Sequence, residues 1–387
     1  MKERIVIVSL ERYPDIRIER EIYTLIKYGY EVILLSDIKD YECVVFKRKT
    51  SSLRCIKFKP DTLTYNLIEP WFTKTVLKVE KTLKILRPDI VLAINPVAGS
   101  IIKNTGYPMV IDNREYYYHK IRYTPLNIPS GGFCERVKYF VGSIRRKWIY
   151  WVKKLEAQLA EEHPMIFPSQ EAAMDFAHRF HISLRHVYSL KNYPTLFEIQ
   201  WTEEIKNKDW ILFGYIGQDI VTKTPYRNLS ITIETLCNMI KKSRTKVIVA
   251  GLDYSYKCFK GIGYLSLDNL YRLLSFVDFG IASWNPHKIH WYFSPNKVYQ
   301  YAIAGTIPII VSTLKSVLKD LKDVAMTIEA CTNDSFRRNL KLLLGRILNM
   351  KMDEIIDRRE KTMYLSRNKF IWDNQEINLL NSIKYAS

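Results

Sequence analysis

The sequence has little of what secreted, metal-binding and membrane-spanning proteins need. Its 387 residues contain six cysteines, and no two of them form a CxxC pair. This scatter predicts reduced thiols and argues against a disulfide framework or a zinc site. The longest uncharged apolar stretch, residues 301–311, is too short for a bilayer span, which needs about 20 residues. The cysteines are Cys43, Cys55, Cys134, Cys237, Cys258 and Cys331.

The amino-terminal segment and the composition are typical of a globular protein without a signal peptide. MKERIVIVSLERY has too short an apolar part for a signal peptide and is typical of a first strand. The chain is 47% hydrophobic and has no low-complexity tract. Its length predicts two cores of ordinary size. We therefore expect a soluble or peripheral protein in the cytoplasm.

Acidic residues are scarce relative to basic ones. The chain has 59 Lys and Arg against 40 Asp and Glu, which gives a net charge of +19 and a pI near 9.4. A basic excess of this size favours anionic partners, namely nucleotides, nucleic acid or a membrane surface.

Apolar runs alternate with amphipathic segments in two successive halves of the chain. In the first half, strands are predicted at residues 4–10, 31–36, 89–94, 107–111 and 164–168, and helices at 16–28 and 72–86. After a polar linker at 193–209, strands are predicted at 211–216, 246–250 and 277–282, and helices at 229–242 and 267–275. This rhythm predicts an α/β fold with two Rossmann-like domains, each a doubly wound parallel sheet, facing each other across a cleft.

We place the first domain at residues 1–195 and the second at 209–365. Residues 366–387 contain a last helix, near 372–383, which we expect to pack back on the first domain. In such sheets ligands bind at the carboxyl ends of the strands.

The run SPNKVYQYAIAGTIPIIVS, residues 294–312, predicts a loop, a short helix and a buried strand. Ser294 suits the N-cap, Pro295 the first helical position and Gly305 the residue just past the helix end. Lys297 is unexpected, because a cation opposes the positive end of the helix dipole by roughly 0.3–1 kcal/mol. An anion, typically phosphate, between Lys297 and the free backbone N–H groups would explain it. The alternative is a lysine that points into water.

Seven segments, in order along nearly the whole chain, carry a family resemblance. They are PDIRIEREIYTLIKYGYEVILL (14–35), RPDIVLAINPVAG (87–99), YPMVIDNREYYYHK (107–120), LEAQLAEEHPMIFPSQ (155–170), GYIGQD with Arg227 (214–227), GIGYLSLDNLYRLLSFVDFGIA (261–282) and the run at 294–312. Together they resemble the retaining GT-B glycosyltransferases of the family-four type.

The resemblance implies transfer of a sugar from a nucleotide diphosphate to an acceptor, with retention of configuration and without a metal or other cofactor. Fixed cations and backbone N–H groups would then stabilise the leaving diphosphate. The sequence lacks a clear DxD carboxylate pair on a loop, which agrees with this. The residues implied in binding the nucleotide-sugar donor are Gly217, Lys223, Arg227, Gly263, Tyr264, Ser294, Asn296, Lys297 and Gln300.

Several of these residues have a simpler alternative role. Lys223 and Arg227 could be solvated surface residues in so basic a chain, and Tyr264 could be an ordinary core aromatic. Family members carry Glu at the position of Gln300, and glutamine keeps the hydrogen-bonding capacity without the charge. Tyr292 and Gln218 replace a further Glu and an Arg of the family pattern. These departures leave open a catalytically silent relative that binds a nucleotide sugar without turnover.

Five polar residues follow first-half strands and are expected on the acceptor side. Asp112, Glu115 and Asp15 are the catalytic candidates, and Arg17 and Asn95 the acceptor-binding candidates. Asp112 directly follows a predicted strand, so it could orient an acceptor hydroxyl or take its proton; alternatively it caps the next segment. The pairs His287/His290 and His178/His181 lack further ligands, so no metal site is predicted.

Residues 119–154 form a basic insert with interleaved aromatic residues. It has nine basic residues and one acid, Glu135, together with Trp148 and Trp151. This pattern is typical of a helix at an anionic membrane surface, and it predicts a lipid-linked or membrane-presented acceptor at the inner face of a membrane. The alternatives are a helix whose tryptophans pack on the first domain, or a helix that binds the phosphate backbone of a nucleic acid. The rival function is a glycosyltransferase that acts on a nucleic acid or a soluble glycan. The basic residues are Lys120, Arg122, Arg136, Lys138, Arg145, Arg146, Lys147, Lys153 and Lys154.

Overall fold

The structure is a computed structural model. It describes residues 2–13, 15–38, 52–60, 74–123, 132–205, 208–217, 220, 225–240 and 245–387. The chain divides into two compact units: the first comprises Met1–Lys191 with Gln375–Ser387, and the second comprises Asn192–Asn374. Lys223 and Gln218 lie outside the described residues.

The first unit is built on a seven-stranded sheet in the order β3-β2-β1-β4-β5-β6-β7. All its strand pairs are parallel. Strand β1, the apolar run at the start of the chain, lies inside the sheet between β2 and β4, and its residues 5–8 are completely buried. The strands are β1 (Arg4–Tyr13), β2 (Glu31–Ile38), β3 (Leu53–Lys57), β4 (Ile90–Ile94), β5 (Met109–Asp112), β6 (Met165–Phe167) and β7 (Val187–Ser189).

Helices connect these parallel strands. The first begins where Asp15, as N-cap, accepts hydrogen bonds from the backbone N–H groups of Arg17 and Ile18. The helices are α1 (Ile16–Lys27), α2 (Lys74–Leu86), α3 (Asn95–Ile102), α4 (Tyr117–Tyr123), α5 (Phe133–Trp151), α6 (Leu155–Glu162) and α7 (Gln170–Phe180).

The second unit has a six-stranded parallel sheet in the order β10-β9-β8-β11-β12-β13. Its strands are β8 (Ile211–Ile216), β9 (Thr245–Ala250), β10 (Lys260–Gly261), β11 (Phe279–Ala282), β12 (Ile307–Val311) and β13 (Met326–Ile328). Its helices are α8 (Leu196–Ile199), α9 (Ser230–Met239), α10 (Leu267–Phe276), α11 (Asn296–Ile303), α12 (Lys315–Leu321), α13 (Asn333–Leu348) and α14 (Met352–Lys369). The predicted α/β class with two doubly wound parallel sheets is confirmed.

The last helix, α15 (Glu376–Ala386), belongs to the first unit. Its buried Glu376 accepts a hydrogen bond from Thr24 Oγ1 at 3.1 Å and pairs with Lys27 Nζ at 2.7 Å. Both partners lie on α1, so these contacts join the two ends of the described chain within one core.

The run at 294–312 differs from its prediction in one detail. Helix α11 begins at Asn296, and Pro295 rather than Ser294 occupies the N-cap. The Ser294 side chain instead accepts a hydrogen bond from the backbone N–H of Asn192 at 3.4 Å. Gly305 follows the helix with a φ of +73°, which favours glycine, and Ile205 lies 3.0 Å from where its Cβ would be.

The cysteines also differ from their prediction. Cys237, on α9, and Cys258, in the loop before β10, form a disulfide. They are 21 residues apart in sequence, so no short motif such as CxxC indicates the pair. The expectation that all six thiols are reduced is wrong for these two. Cys55 and Cys331 are free.

A buried charged cluster ties α14 to the sheet of the second unit. Asp278, just before β11, pairs with Arg359 at 3.0 Å and with Lys208 at 2.7 Å, and it accepts the backbone N–H of Leu212. Arg359 also donates to the carbonyl oxygens of Gly305 and Ser275. One guanidinium therefore holds the starts of β11 and β12 and the end of α10 together.

Replacing Arg359 by leucine is expected to destabilise the second unit by roughly 3 kcal/mol, because it removes one partner of a buried ion pair. Urea unfolding of the full chain, read by hydrogen–deuterium exchange in β11 with β4 as the internal reference, measures the loss. Arg358→Leu is the matched control, since its pair with Glu354 is half-exposed and contributes about 0–1 kcal/mol. Equal effects of the two variants would contradict a structural role for the cluster.

Candidate functional site

The most informative feature of the second unit is the environment of Lys297, on the first turn of α11. Its ammonium lies 4.1 Å from the centre of the Tyr215 ring and 5.3 Å from that of Trp284. Tyr215 is near the end of β8, and Trp284 follows β11, the neighbouring strand. Within the described part of the chain, no carboxylate forms an ion pair with Lys297. A cation is thus held, without neutralisation, where two parallel strands end and a helix begins.

The other residues predicted from the run at 294–312 lie on or beside α11. Ser294 is buried, and its carbonyl oxygen accepts a hydrogen bond from Asn192 Nδ2 at 2.6 Å. Asn296 is the first helical residue, and Gln300 is a buried residue one turn further on. The structure therefore brings Ser294, Asn296, Lys297 and Gln300 onto one short segment, and their predicted role in binding a nucleotide-sugar donor stays a prediction.

The remaining predicted residues of the second unit lie in loops that follow other strands. Gly217, after β8, has a φ of +155°, and an added Cβ would lie 2.8 Å from the Tyr215 hydroxyl. The backbone of Gly263 pairs with Gly251 and Leu252, in the loop after β9. Two further predicted residues are exposed: Arg227, and Tyr264 with 71% of its surface accessible. Tyr264 is therefore not a core aromatic.

His290 is a buried neighbour of this site. Its Nε2 donates to the carbonyl oxygen of Tyr226 at 2.7 Å, and its Nδ1 accepts from Thr313 Oγ1 at 2.9 Å. Burial lowers the pKa of His290 to about 4. The imidazole is therefore neutral at pH 7, and both ring nitrogens are engaged within the protein.

In the first unit, the predicted residues Arg17 and Asp112 form a buried ion pair. Arg17 donates from Nε and Nη2 to the two carboxylate oxygens of Asp112, at 2.8 and 2.6 Å, and from Nη1 to the carbonyl of Leu190 at 2.7 Å. Burial alone would raise the pKa of Asp112, but the Arg17 charge and hydrogen bonds hold it below its ordinary value. Burial and the neighbouring Asp112 raise the pKa of Glu21 well above its usual range.

Arg114 extends this cluster toward solvent. It lies 3.2 Å from Asp112, 3.0 Å from Asp15 and 3.5 Å from Glu11. About a third of each of the Asp15 and Glu11 side chains is accessible, whereas Asp112 is fully buried. Of the carboxylates in this cluster, Asp15 and Glu11 are the ones that a ligand can reach.

Asn95 and Glu115 complete the polar residues at this edge of the sheet. Asn95, directly after β4, has a φ of +72°, and its Nδ2 lies 3.3 Å from Glu11 Oε1. Glu115 pairs with Lys120. Glu11 and Arg114 were not predicted as site residues. Glu11 could have been found as the first charged residue after the apolar run of β1.

Helix α5 carries the basic insert and exposes an apolar stripe. Seven of its exposed apolar residues have the spacing of one helix face, whereas the exposed Tyr139 lies off that face. Lys153 lies 4.7 Å from the ring centre of Trp148, and Lys147 lies 5.7 Å from that of Trp151. None of the described helices is long and apolar enough to cross a membrane. The stripe consists of Phe133, Val137, Phe140, Val141, Ile144, Trp148 and Trp151.

Glu156, on α6, stabilises the start of α4 next to this insert. Its carboxylate accepts hydrogen bonds from the backbone N–H groups of Tyr117 and Tyr118, at 3.0 and 2.6 Å, and from Asn113 Nδ2. Burial raises the pKa of Glu156 to about 7, although these hydrogen bonds act in the opposite direction. The packing of α4 is thus linked to a group that titrates near neutral pH.

Comparison with solved structures shows the fold of the whole chain. The sucrose-phosphate synthase of Thermosynechococcus elongatus has a TM-score of 0.68 at 9% identity and 100% coverage of both chains. WaaG, a glycosyltransferase involved in lipopolysaccharide biosynthesis, has a TM-score of 0.65 at 12% identity and covers 98% of this chain and 99% of its own. Anabaena HepE, solved with UDP-glucose, has a TM-score of 0.62 at 10% identity, with coverage of 98% and 99%. No protein-family model and no curated protein sequence matches the chain.

The stability of the full chain is expected to fall as pH rises toward neutrality because of Glu156. Its pKa is about 7 in the folded protein and near 4.5 ordinarily, so the folded state binds the proton more tightly. The stabilisation is complete below about pH 4.5 and is lost as pH rises through about 7. Across this pH range the free energy of unfolding is expected to fall by about 3 kcal/mol.

Glu156→Gln should remove this pH dependence, since the amide oxygen still accepts hydrogen bonds and carries no charge. Urea unfolding of the wild type and the variant between pH 5 and pH 8 measures this pH dependence. Glu162→Gln, an exposed change on the same helix, should leave the wild-type pH dependence intact. The assignment would be wrong if Glu156→Gln lost as much stability over this range as the wild type.

Proposed function

Since the chain has the GT-B fold of solved glycosyltransferases, we propose that it is a glycosyltransferase. It transfers a sugar from a nucleotide diphosphate to an acceptor. The observation that carries this proposal is the Lys297 ammonium at the start of α11, which has no carboxylate partner within the described residues. A cation beside free backbone N–H groups favours a bound anion, and a diphosphate provides one. The UDP-glucose bound by the similar Anabaena protein supports the same class of donor.

In the proposed reaction, the bond between the sugar's anomeric carbon and the diphosphate oxygen breaks. A bond to the acceptor hydroxyl oxygen forms, and the hydroxyl proton passes to an acceptor-side carboxylate or to water. Negative charge accumulates on the diphosphate, and Lys297 with the first N–H groups of α11 stabilises it. Arg227 and Lys223 are proposed to add charge from the segment after β8. We propose that no metal is needed and that the configuration at the anomeric carbon is retained, as the resemblance implies.

The nucleotide and sugar are proposed to bind the other predicted residues of the second unit. Gly217, whose φ favours glycine, allows close approach of a ligand to the end of β8. Gly263 and the exposed Tyr264 are proposed to contact the nucleobase. Ser294, Asn296 and Gln300 are proposed to contact the phosphates or the ribose.

On the acceptor side, the proposal favours the carboxylates that solvent reaches. Asp15 and Glu11 are partly accessible and held by Arg114, so either can accept a hydrogen bond from an acceptor hydroxyl. Asp112 is buried, and Arg17 occupies both of its oxygens. We therefore propose that Asp112 and Arg17 position this edge of the sheet. Glu115 and Asn95 remain acceptor-side candidates.

We also propose that the acceptor is presented at an anionic membrane surface. The apolar stripe of α5 lies beside lysines that face its two tryptophans. Such a helix lies at the level of lipid headgroups, where each basic residue adds about 1 kcal/mol near anionic lipid. This supports a lipid-linked acceptor and a peripheral position at the inner face of a membrane.

Gln300 supports a second candidate function. An uncharged residue at this position would suit a catalytically silent protein that binds a nucleotide sugar. Turnover separates the two functions.

The proposal predicts that one class of nucleotide sugar binds and is turned over. UDP-, GDP- and ADP-sugars are screened with the wild-type chain by thermal shift, and by product mass with lipid and glycan acceptors supplied. A shifted melting temperature together with a transferred sugar supports the enzyme. Binding without turnover of any donor supports the silent protein, and no binding of any nucleotide diphosphate would overturn both.

Lys297→Ala is the variant for this screen. It should weaken binding of the nucleotide-sugar donor at least roughly tenfold, because a charge-assisted contact to phosphate is worth about 1.5–3 kcal/mol. The melting temperature without ligand should hardly change, because the lysine is half-exposed. A large loss of stability with normal binding would assign the lysine a structural role.

The membrane proposal predicts that the wild type co-sediments with vesicles containing phosphatidylglycerol. Trp148→Ala with Trp151→Ala should weaken this co-sedimentation at least roughly tenfold, because each of the two indoles loses about 1 kcal/mol or more of apolar burial. Trp291→Ala, at an indole that is 48% accessible elsewhere, is the control and should pellet like the wild type. Equal pelleting of wild type and double variant, or none by either, would contradict membrane binding through α5.

A further inference from the structure

The two aromatic rings around Lys297 form a buried surface that the proposed chemistry does not by itself require. Tyr215 is 5% accessible and Trp284 is 3% accessible. Their ring centres lie 4.1 and 5.3 Å from the Lys297 ammonium, within the roughly 6 Å over which a cation is attracted to a ring face. We call these two rings the aromatic cage.

The cage differs in kind from the environment of Lys208, the other partly buried lysine among the described residues of this unit. Lys208 lies 2.7 Å from Asp278, so a carboxylate neutralises its charge. The cage instead attracts the Lys297 ammonium through the negative faces of the rings, which carry no net charge. The lysine side chain is therefore restrained while its full positive charge remains available to a ligand.

A second observation at the cage points to an absent ligand. The indole Nε1 of Trp284 is buried and has no hydrogen-bond acceptor within the described part of the chain. Buried N–H groups without a partner are rare in proteins. Its ring lies beside the Lys297 ammonium, so an unpaired donor and an unpaired cation occur at one place. Both favour an anionic oxygen.

We propose that Tyr215 and Trp284 are positioning residues for the diphosphate of the nucleotide-sugar donor. They act through Lys297, whose ammonium they hold at the carboxyl ends of β8 and β11, beside the first turn of α11. This inference rests on the proposed function, because it takes a diphosphate as the ligand. It adds that affinity for the diphosphate depends on two aromatic rings that need not touch it.

A double-mutant cycle tests whether the cage acts through the lysine. The variants are Trp284→Leu, Lys297→Met and the two combined, each in the full chain, with binding measured by calorimetry. The nucleoside diphosphate selected by the donor screen and inorganic pyrophosphate are the probes. Trp284→Leu should weaken binding of both probes by roughly 5- to 30-fold. Adding Trp284→Leu to Lys297→Met should cost much less affinity than Trp284→Leu costs in the wild type, because the cage then has no cation to hold and only the indole N–H is lost.

Three controls separate a lost ring from damage to the fold. Trp284→Phe keeps a ring face and should lose less affinity than Trp284→Leu, whereas Tyr215→Phe should bind almost as well as the wild type. Trp291→Leu, an exposed indole seven residues along the chain from Trp284, should leave binding unchanged. If Trp284→Leu unfolds, the cycle is run with Tyr215→Leu, which removes the other ring of the cage.

The outcomes distinguish this inference from the proposed function. A wild type that binds no nucleoside diphosphate and no pyrophosphate overturns the proposed function, and this inference with it. If the wild type binds, and the fold losses in affinity from Trp284→Leu and Lys297→Met multiply in the combined variant, the role of the aromatic cage is overturned while the proposed function stands. Equal losses from Trp284→Leu and Trp284→Phe would also overturn it, and would assign the effect to the indole N–H.

Discussion

The edge of the first sheet that carries the acceptor-side candidates depends on the buried ion pair between Arg17 and Asp112. Two charges in a dry core are stable only when each finds a partner, and losing one partner typically costs about 3–5 kcal/mol. Arg17 satisfies both oxygens of Asp112 and also reaches Leu190. This one side chain joins the start of α1, the end of β5 and the segment after β7. The positions of Arg114, Asp15 and Glu11 follow from that junction.

The second unit uses its charges in two different ways. At the start of β11, Asp278 neutralises Lys208 and Arg359, and the cluster serves packing. At the other end of the same strand, Lys297 meets aromatic rings instead of a carboxylate. In an ion pair the charge is neutralised by its partner and stabilises the fold. A cation that lies on ring faces is not neutralised, so its charge remains available to a ligand. If Lys297 binds the donor diphosphate as proposed, the two ends of one strand serve stability and binding separately.

Much of the fold could be predicted because strand and helix patterns are local. The apolar run at residues 211–216 coincides with β8, and the run at 307–311 coincides with β12. The N-cap at Ser294 was predicted wrongly because the partner of that side chain, Asn192, is 102 residues away. The disulfide between Cys237 and Cys258 escaped prediction for the same reason, since spacing alone does not reveal which loops meet.

The candidate sites were only partly predictable. Lys297 was noticeable in the sequence because its charge conflicts with the helix dipole, a purely local signal. Tyr215 and Trp284 gave no such signal, since an aromatic residue near a strand end usually belongs to the core. Glu11 had a local signal, as the first charged residue after the apolar run of β1, but its proximity to Arg114 depends on the sheet order, which places β1 and β5 on opposite sides of β4. Seven segments in a familiar order predicted the fold class. Which side chains lie next to one another could be seen only in the tertiary structure.

The return of α15 to the first unit has a consequence for biosynthesis. Residues 375–387 leave the ribosome only after the entire second unit has been made, roughly 10 to 40 s later at about 5–20 residues per second. Until then α1 lacks Glu376, the carboxylate that pairs with Thr24 and Lys27. The unit that is translated first is therefore completed last, and its unfinished face is exposed to chaperones and proteases while the second unit is being made.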